Sequence, residues 1–180
     1  MISINDKNLD KNSFIDIVIQ PDINSLNVIQ SLINNENIIV FDTEGNIYHS
    51  LLNAPVTDIS SKIEINTNSY TIIPIYSLTK LIKELEKLQK YNNFILVLDS
   101  ITFVCDRDVL MIQEIVNILW NTIYTCNCTV ICFNHYKIHL SNENYQLIPR
   151  MGKKYSNFIS YRVFCEFTNE MEYSVIKFDI

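Results

Sequence analysis

The chain has 180 residues, and 48% of them are apolar, which predicts one domain (residues 1–180) with a single sizeable core. A formal net charge of −6 at pH 7 argues against a surface coated with cations for nucleic acid. The polar N-terminus has no apolar core of the signal-peptide type, and no apolar run approaches the roughly 18 residues that cross a bilayer. We therefore expect a soluble intracellular protein with no membrane partner.

Strands and helices alternate along the first half of the chain. Residues 14–20, FIDIVIQ, have the composition of a strand. Ser25 is predicted to be the N-cap of a short helix. One face of that helix would carry Val28, Ile29, Leu32 and Ile33. Two further buried strands are predicted at residues 37–42 and 70–76, the second of which contains a proline.

The same alternation continues in the second half. Ser77 is predicted to cap an amphipathic helix with apolar residues at helical spacing, namely Leu78, Leu81, Ile82, Leu85 and Leu88. A longer helix is predicted over residues 108–124, then a strand over 128–134, and two ribbon-like strands near 158–167 and 171–178. This pattern predicts an α/β fold: a mostly parallel twisted sheet with helices on both faces and an antiparallel C-terminal extension.

Polar residues follow several of the predicted strands. In NNFILVLDS, four apolar residues run directly into Asp99, as a buried strand does when it delivers one carboxylate to the mouth of a nucleotide site. Asp42 and Glu44 follow another strand, and Asn134 a third. Ligands of such sheets gather at the carboxyl ends of the strands. An aspartate in this position normally works with a glycine-rich, lysine-bearing phosphate loop.

Four stretches, IIVFDTEGN, ILVLDSITFV, TVICFNHYK and MGKKYSNFISYRVFCEF, together resemble the ATPase core of the RecA/RadA family of strand-exchange recombinases. The resemblance is greatest to the eukaryotic members and their paralogs, and it spans nearly the whole chain in the right order. It implies a RecA-like core in which Glu44 matches the catalytic glutamate and Asp99 the Walker B aspartate. Asn134 would open the second DNA-binding loop, while Gly152 and Arg162 match a glycine and an architectural arginine.

The phosphate loop of that family, GxxxxGK[ST], would lie where this chain reads QPDINSLN, which contains neither glycine nor lysine. Glycine lets the backbone N–H groups curl around the phosphates, and lysine supplies charge. Losing several such bonds, each worth about 1.5–3 kcal/mol, weakens triphosphate binding by three or more orders of magnitude. We therefore predict a degenerate phosphate loop, represented by Pro21, Asp22 and Ser25, in which Asp22 repels phosphate.

On this interpretation Asp99, Asp42 and Glu44 are relics of an ATPase site, and the protein has no catalytic residue, no metal and no other cofactor. His135 stands where the family has a nucleotide-sensing glutamine, and residues 104–108 leave almost no room for its first DNA-binding loop. The five cysteines show no spacing typical of a zinc site, so buried, reduced thiols are expected.

Positive charge is concentrated between residues 136 and 157, where the sequence has four cationic residues and one acidic residue. This segment carries +3 and the rest of the chain −9. It coincides with the second DNA-binding loop that the resemblance implies. Cations on a flexible loop neutralise phosphates, and aromatic rings stack on bases. The predicted DNA-binding residues are Lys137, Arg150, Lys153, Lys154 and Tyr155.

A RecA-like core without a phosphate loop is similar to the ATPase-dead recombinase paralogs, such as the Shu-complex subunits of yeasts. The resemblance implies a non-catalytic nuclear subunit in homologous recombination and DNA repair. It would bind single-stranded or forked DNA, form a heterodimer or larger complex with a second RecA-like paralog, and promote assembly of a recombinase filament. Two alternatives stay open: a structural RecA-like subunit of another assembly, such as the Elongator accessory ring with tRNA as ligand, or an unconventional ATPase.

Overall fold

The computed structural model describes residues 2–4, 7–32, 37–45, 47, 70–105, 109–141, 144–167 and 171–178. The predicted apolar position Ile33 and the predicted helix start at Asp108 lie outside these ranges, as do three residues of the short segment 104–108. No helix in the described part is long and apolar enough to cross a membrane. That residues 1–180 form one domain stays a prediction.

The described elements follow one another in this order: β1 (Ile2–Ile4), β2 (Lys7–Leu9), β3 (Phe14–Ile19), α1 (Ser25–Leu32), β4 (Ile38–Asp42), β5 (Tyr70–Pro74), α2 (Leu78–Leu88), β6 (Ile95–Asp99), α3 (Ile101–Cys105), α4 (Val109–Cys126), β7 (Thr129–Ser141), β8 (Asn144–Pro149), α5 (Lys153–Ser156), β9 (Tyr161–Phe167) and β10 (Met171–Lys177).

An eight-stranded sheet organises the described chain. Its order is β5-β4-β6-β7-β3-β9-β10, and β8 pairs with β7. The strands from β5 to β9 along this order are parallel, whereas β10 on β9 and β8 on β7 are antiparallel. The predicted mostly parallel sheet with an antiparallel C-terminal extension is therefore confirmed. The small antiparallel pair β1-β2 was not expected from the polar N-terminus.

Each face of the sheet buries its own core. On β3, the alternate residues Ile15, Ile17 and Ile19 point to one core, together with residues of α1, while Phe14 points to the other. The second core holds the apolar faces of α2 and α4. It includes Leu81, Leu85, Leu88, Ile115 and Leu119. Helices therefore lie on both faces of the sheet, which explains why its central strands read as continuous apolar runs.

The helix N-caps agree with the sequence at one position and differ at another. Ser77 caps α2, where its hydroxyl accepts a hydrogen bond from the Lys80 N–H at 3.2 Å. At α1 the predicted cap, Ser25, is wrong. The side chain of Asn24 accepts from the Leu26 N–H at 2.9 Å and therefore caps the helix. Ser25 is the first helical residue, which leaves its hydroxyl for another partner.

The segment after Asn134 was predicted to be a loop, and this prediction is wrong. β7 continues to Ser141 and pairs with β8 as an antiparallel hairpin. Residues 136–140 read Tyr-Lys-Ile-His-Leu, an alternation of period two that favours a strand.

Candidate functional site

The carboxyl ends of β4 and β6 meet at the edge of the sheet. Asp42 lies opposite Asp99 in the parallel register, and both are buried. The next residues join the two strand ends: the Thr43 N–H donates to the Asp99 carbonyl at 2.7 Å, and the Thr43 hydroxyl bonds both the N–H and the carbonyl of Ser100, at 2.7 and 2.9 Å. The acidic residues predicted from the sequence are thus brought together on a rigid support.

A turn follows β4 and orients Glu44. The Gly45 N–H donates to the Asp42 carboxylate at 2.7 Å. Gly45 has φ 78°, a left-handed conformation that favours glycine. Glu44 accepts a hydrogen bond from the Ser100 hydroxyl, so this carboxylate is held above the end of β6.

His135, near the end of the buried part of β7, faces Glu44. Its Nε2 lies 3.2 Å from Glu44 Oε1, within the range of an ion pair. The neighbouring Glu44 carboxylate raises the pKa of the His135 imidazole, against the effect of burial. The pair attracts as an ion pair once the ring is protonated.

Burial perturbs the Asp99 carboxylate at this edge. It is 1% exposed, and its Oδ2 accepts a hydrogen bond from the Ser25 hydroxyl at 2.7 Å. Its Oδ1 has no hydrogen-bond partner within the described ranges. Burial raises the pKa of Asp99 to about 6; the bond from Ser25 opposes this, and the charges of Asp42 and Glu44 add to it.

The segment from β3 to α1 occupies the place of a phosphate loop. The bond from Ser25 to Asp99 places this hydroxyl where the loop pattern ends in Ser or Thr. Counting back, Asn24 stands in the lysine position and Ile23 in the second glycine position. Ile23 is buried in the core beside α1. The predicted loop residues Pro21 and Asp22 are exposed.

Backbone N–H groups in this segment bond within the chain. The Ile23 N–H donates to the Gln20 carbonyl at 3.1 Å, and the Val28 N–H to the Asn24 carbonyl at 3.3 Å. The Leu26 N–H is taken by the Asn24 side chain. None of residues 20–25, all of them described, has a positive φ. These three N–H groups are therefore already satisfied within the chain.

Metal ligands were not expected from the sequence. In the part of the chain that the structure describes, no group of three or more His, Cys, Asp or Glu side chains is placed to hold a metal ion. The cysteines whose burial is described lie in the cores. They are Cys126, Cys128, Cys132 and Cys165.

A second buried polar cluster joins β3, β7 and β9. Arg162 Nε donates to Asp16 Oδ2 at 2.6 Å, and its Nη1 donates to the Ser156 hydroxyl at 2.8 Å. Asn134 Nδ2 donates to the same Asp16 oxygen at 3.3 Å, while Asn134 Oδ1 accepts from the Met151 N–H at 3.1 Å. The architectural role predicted for Arg162 is confirmed. Asp16 was missed, although an acid inside an apolar strand was the available signal.

The cations predicted to bind DNA lie on different elements. Lys137 projects from β7, Arg150 follows β8, and Lys153 and Lys154 belong to α5; all four side chains are exposed. Tyr155, by contrast, is 2% exposed, so the stacking role predicted for it is wrong.

Tyr155 instead packs edge-on against Phe14, with ring centroids 6.1 Å apart, because α5 turns this side chain into the core. The two lysines of α5 border a cavity of about 530 Å³ whose other lining residues include Ile112 on α4 and Phe158.

Comparison with known proteins defines the class of fold. No protein-family model matches this chain. No curated protein matches it either. A solved structure, described as the crystal structure of the RadB recombinase, matches with a TM-score of 0.57 over 89% of this chain and 77% of that chain. The sequences are 11% identical, so this likeness shows the fold alone. The chain has a RecA-like core.

Proposed function

We propose that this protein is a non-catalytic RecA-like subunit of a nuclear mediator complex in homologous recombination and DNA repair. It binds single-stranded or forked DNA, pairs with a second RecA-like subunit and promotes assembly of a recombinase filament. The RecA-like core, the likeness to a recombinase and the resemblance to ATPase-dead paralogs support this proposal. The protein would be of the same kind as the Shu-complex subunits of yeasts.

The phosphate-loop segment is the observation that carries the non-catalytic part. A phosphate loop binds anions because unused N–H groups face the ligand beside a lysine. Here the N–H groups of Ile23, Leu26 and Val28 are already bonded within the chain. Asn24, in the lysine position, is uncharged and caps α1, and Asp22 adds a negative charge. The positive charge is therefore missing from the place where a triphosphate would lie, and several of the nearby N–H donors are already used.

Isothermal titration with ATP and magnesium tests this part. We expect no saturable heat for the wild type, and the same featureless titration for Glu44→Gln, because neither protein offers a cradle for the phosphates. Micromolar binding to the wild type would contradict the proposal. Turnover that Glu44→Gln abolishes would then favour the unconventional ATPase, for which Glu44 and Asp99 would supply the acidic groups.

DNA binding is proposed for the exposed cations around the hairpin. Lys137, Arg150, Lys153 and Lys154 give their segment a charge of +3 in a chain of net charge −6. A few phosphate contacts give weak binding that depends strongly on salt. A partner subunit is therefore expected to add affinity.

Fluorescence anisotropy of labelled single-stranded DNA measures this contribution. Lys153→Ala/Lys154→Ala is expected to lower the affinity about tenfold at low salt, and to reduce the slope of log K against log salt by about 1.4, since each lost single-strand contact removes about 0.7. The matched control is Lys83→Ala/Lys90→Ala, which removes the same charge from exposed positions outside the basic segment.

Equal losses in the two variants would indicate a general charge effect, and unchanged affinity in both would remove α5 from the site. Unlabelled tRNA and single-stranded DNA, compared as competitors at equal phosphate concentration, separate the two nucleic acids. Preferential displacement by tRNA would favour the alternative assembly.

A further inference from the structure

The β7-β8 hairpin has one face made of large apolar side chains. The register places Ile138 opposite Leu147 and Leu140 opposite Tyr145. Directly opposed residues of an antiparallel pair point to the same side. These four side chains, the apolar hairpin face, are 70%, 52%, 63% and 76% exposed in that order. None of them is charged.

The other face of the hairpin is mostly polar. Lys137 lies opposite Ile148, and His139 lies opposite Gln146. Because side chains alternate along a strand, these residues project away from the apolar hairpin face. The cation proposed to contact DNA and the apolar side chains therefore occupy opposite surfaces of the same ribbon.

A two-stranded hairpin is marginally stable in water unless a further layer covers its apolar side. Exposed apolar patches of this kind mark interaction sites. Covering the exposed parts of the four side chains removes on the order of 500 Å² per copy, or roughly 1,000 Å² for a symmetric pair, which is the lower limit for a biological interface.

We propose that the apolar hairpin face is a pairing surface that takes the same face of a second copy of this chain. Two hairpins packed face to face form a two-layer sandwich, in which each sheet supplies the layer that the other lacks. A two-fold axis brings identical patches together. Because this face has no charge, pairing places no like charges in contact, and Lys137 of each copy stays in solvent.

Charge and side-chain chemistry favour a protein over a nucleic acid on this face. Nucleic acid needs cations to neutralise its phosphates, and here the cations lie elsewhere. Three of the four side chains are aliphatic, whereas single-stranded bases stack on aromatic rings. The inference goes beyond the proposed function, in which the second RecA-like subunit is a different chain.

Sedimentation velocity of the full chain, at tens of micromolar and at low and moderate salt, tests this surface. The wild type is expected to sediment as a dimer of twice 21.1 kDa. Salt should strengthen the dimer, because it screens the repulsion between two chains of net charge −6. Ile138→Lys/Leu147→Lys should weaken dimerisation at least a hundredfold, whereas His139→Lys/Gln146→Lys, which adds the same charge to the polar face, should leave it intact.

Circular dichroism verifies that each variant is folded, and the milder Leu140→Ser/Tyr145→Ser replaces the lysine variant if that protein unfolds. A monomeric wild type, or a dimer that survives both apolar-face variants, would overturn the pairing surface. So would a loss of DNA affinity in Ile138→Lys/Leu147→Lys without a change in mass, which would assign the face to nucleic acid. If the wild type is a monomer whose DNA binding depends on Lys153 and Lys154, the pairing surface fails and the DNA proposal stands. If the wild type is a dimer that does not bind DNA, the DNA proposal fails and the pairing surface stands.

Discussion

Replacing Arg162 with methionine is expected to destabilise the fold by about 3–5 kcal/mol at neutral pH, because it leaves the Asp16 carboxylate buried without its cationic partner. Asn134 remains as a donor to Asp16 but carries no charge. Urea denaturation, with the midpoint and slope fitted separately, measures the loss. Arg150→Met, which removes an exposed arginine, should change stability by less than about 0.5 kcal/mol.

The double variant Asp16→Asn/Arg162→Met should recover most of this loss, since it removes both members of the buried pair. Low pH should also reduce the cost of Arg162→Met. Burial raises the pKa of Asp16 from 3.8 to about 6, and the charge of Arg162 keeps the pKa from rising further. In Arg162→Met the Asp16 carboxyl therefore stays neutral up to a higher pH than in the wild type. The stability deficit of this variant should grow as pH rises past 6. A deficit independent of pH would contradict this account of the cluster.

Asp99→Asn is expected to stabilise the protein by about 1–3 kcal/mol at pH 7.5. The pKa of Asp99 is raised from 3.8 to about 6, so the folded state disfavours its charged form. Because the folded state holds the Asp99 proton more tightly than the unfolded state, wild-type stability falls as pH rises from about 4 to about 6. The stability of the variant does not change in this way, since asparagine does not titrate. An asparagine oxygen can still accept from the Ser25 hydroxyl. The advantage of the variant should therefore vanish near pH 4.

Paired urea denaturations at pH 4.5 and 7.5 measure this difference. Asp22→Asn is the control, because it removes one acidic charge from an exposed position after β3. Its stability should stay within about 0.5 kcal/mol of the wild type at both pH values. An Asp99→Asn protein that is less stable than the wild type at pH 7.5 would mean that the carboxylate has a favourable charged partner, and the relic interpretation would fail.

Local patterns predicted most elements of this fold, and long-range pairing accounts for what they missed. The apolar runs of β3, β4, β6 and β7 indicated buried parallel strands, and the polar residues after them did converge at one edge. The ion pair was hidden, because Asp16 and Arg162 lie 146 residues apart in sequence. A single sequence does not indicate which distant cation a buried acid will meet.

Two local errors have physical causes. Ser25 has the composition of an N-cap, but its hydroxyl is drawn to Asp99, 74 residues away, and Asn24 caps instead. Tyr155 stands among lysines and therefore looked exposed, yet the turn of α5 directs its ring inward. The β7-β8 hairpin was not predicted, although residues 136–140 alternate with a period of two. The resemblance to the recombinase family implied a loop at these residues, and the prediction followed that resemblance rather than the alternation.

The burial of Ile23 sets a cost on placing glycine at this position. A glycine here, as the phosphate-loop pattern requires, would delete an isoleucine from the core, at a cost of about 2–5 kcal/mol for the side chain alone. Domains are stable by only about 5–15 kcal/mol in total, so a variant with this glycine would lose much of its folding free energy before it gained any contact with a phosphate. The isoleucine that tightens the core at this turn therefore opposes the backbone that an anion would need.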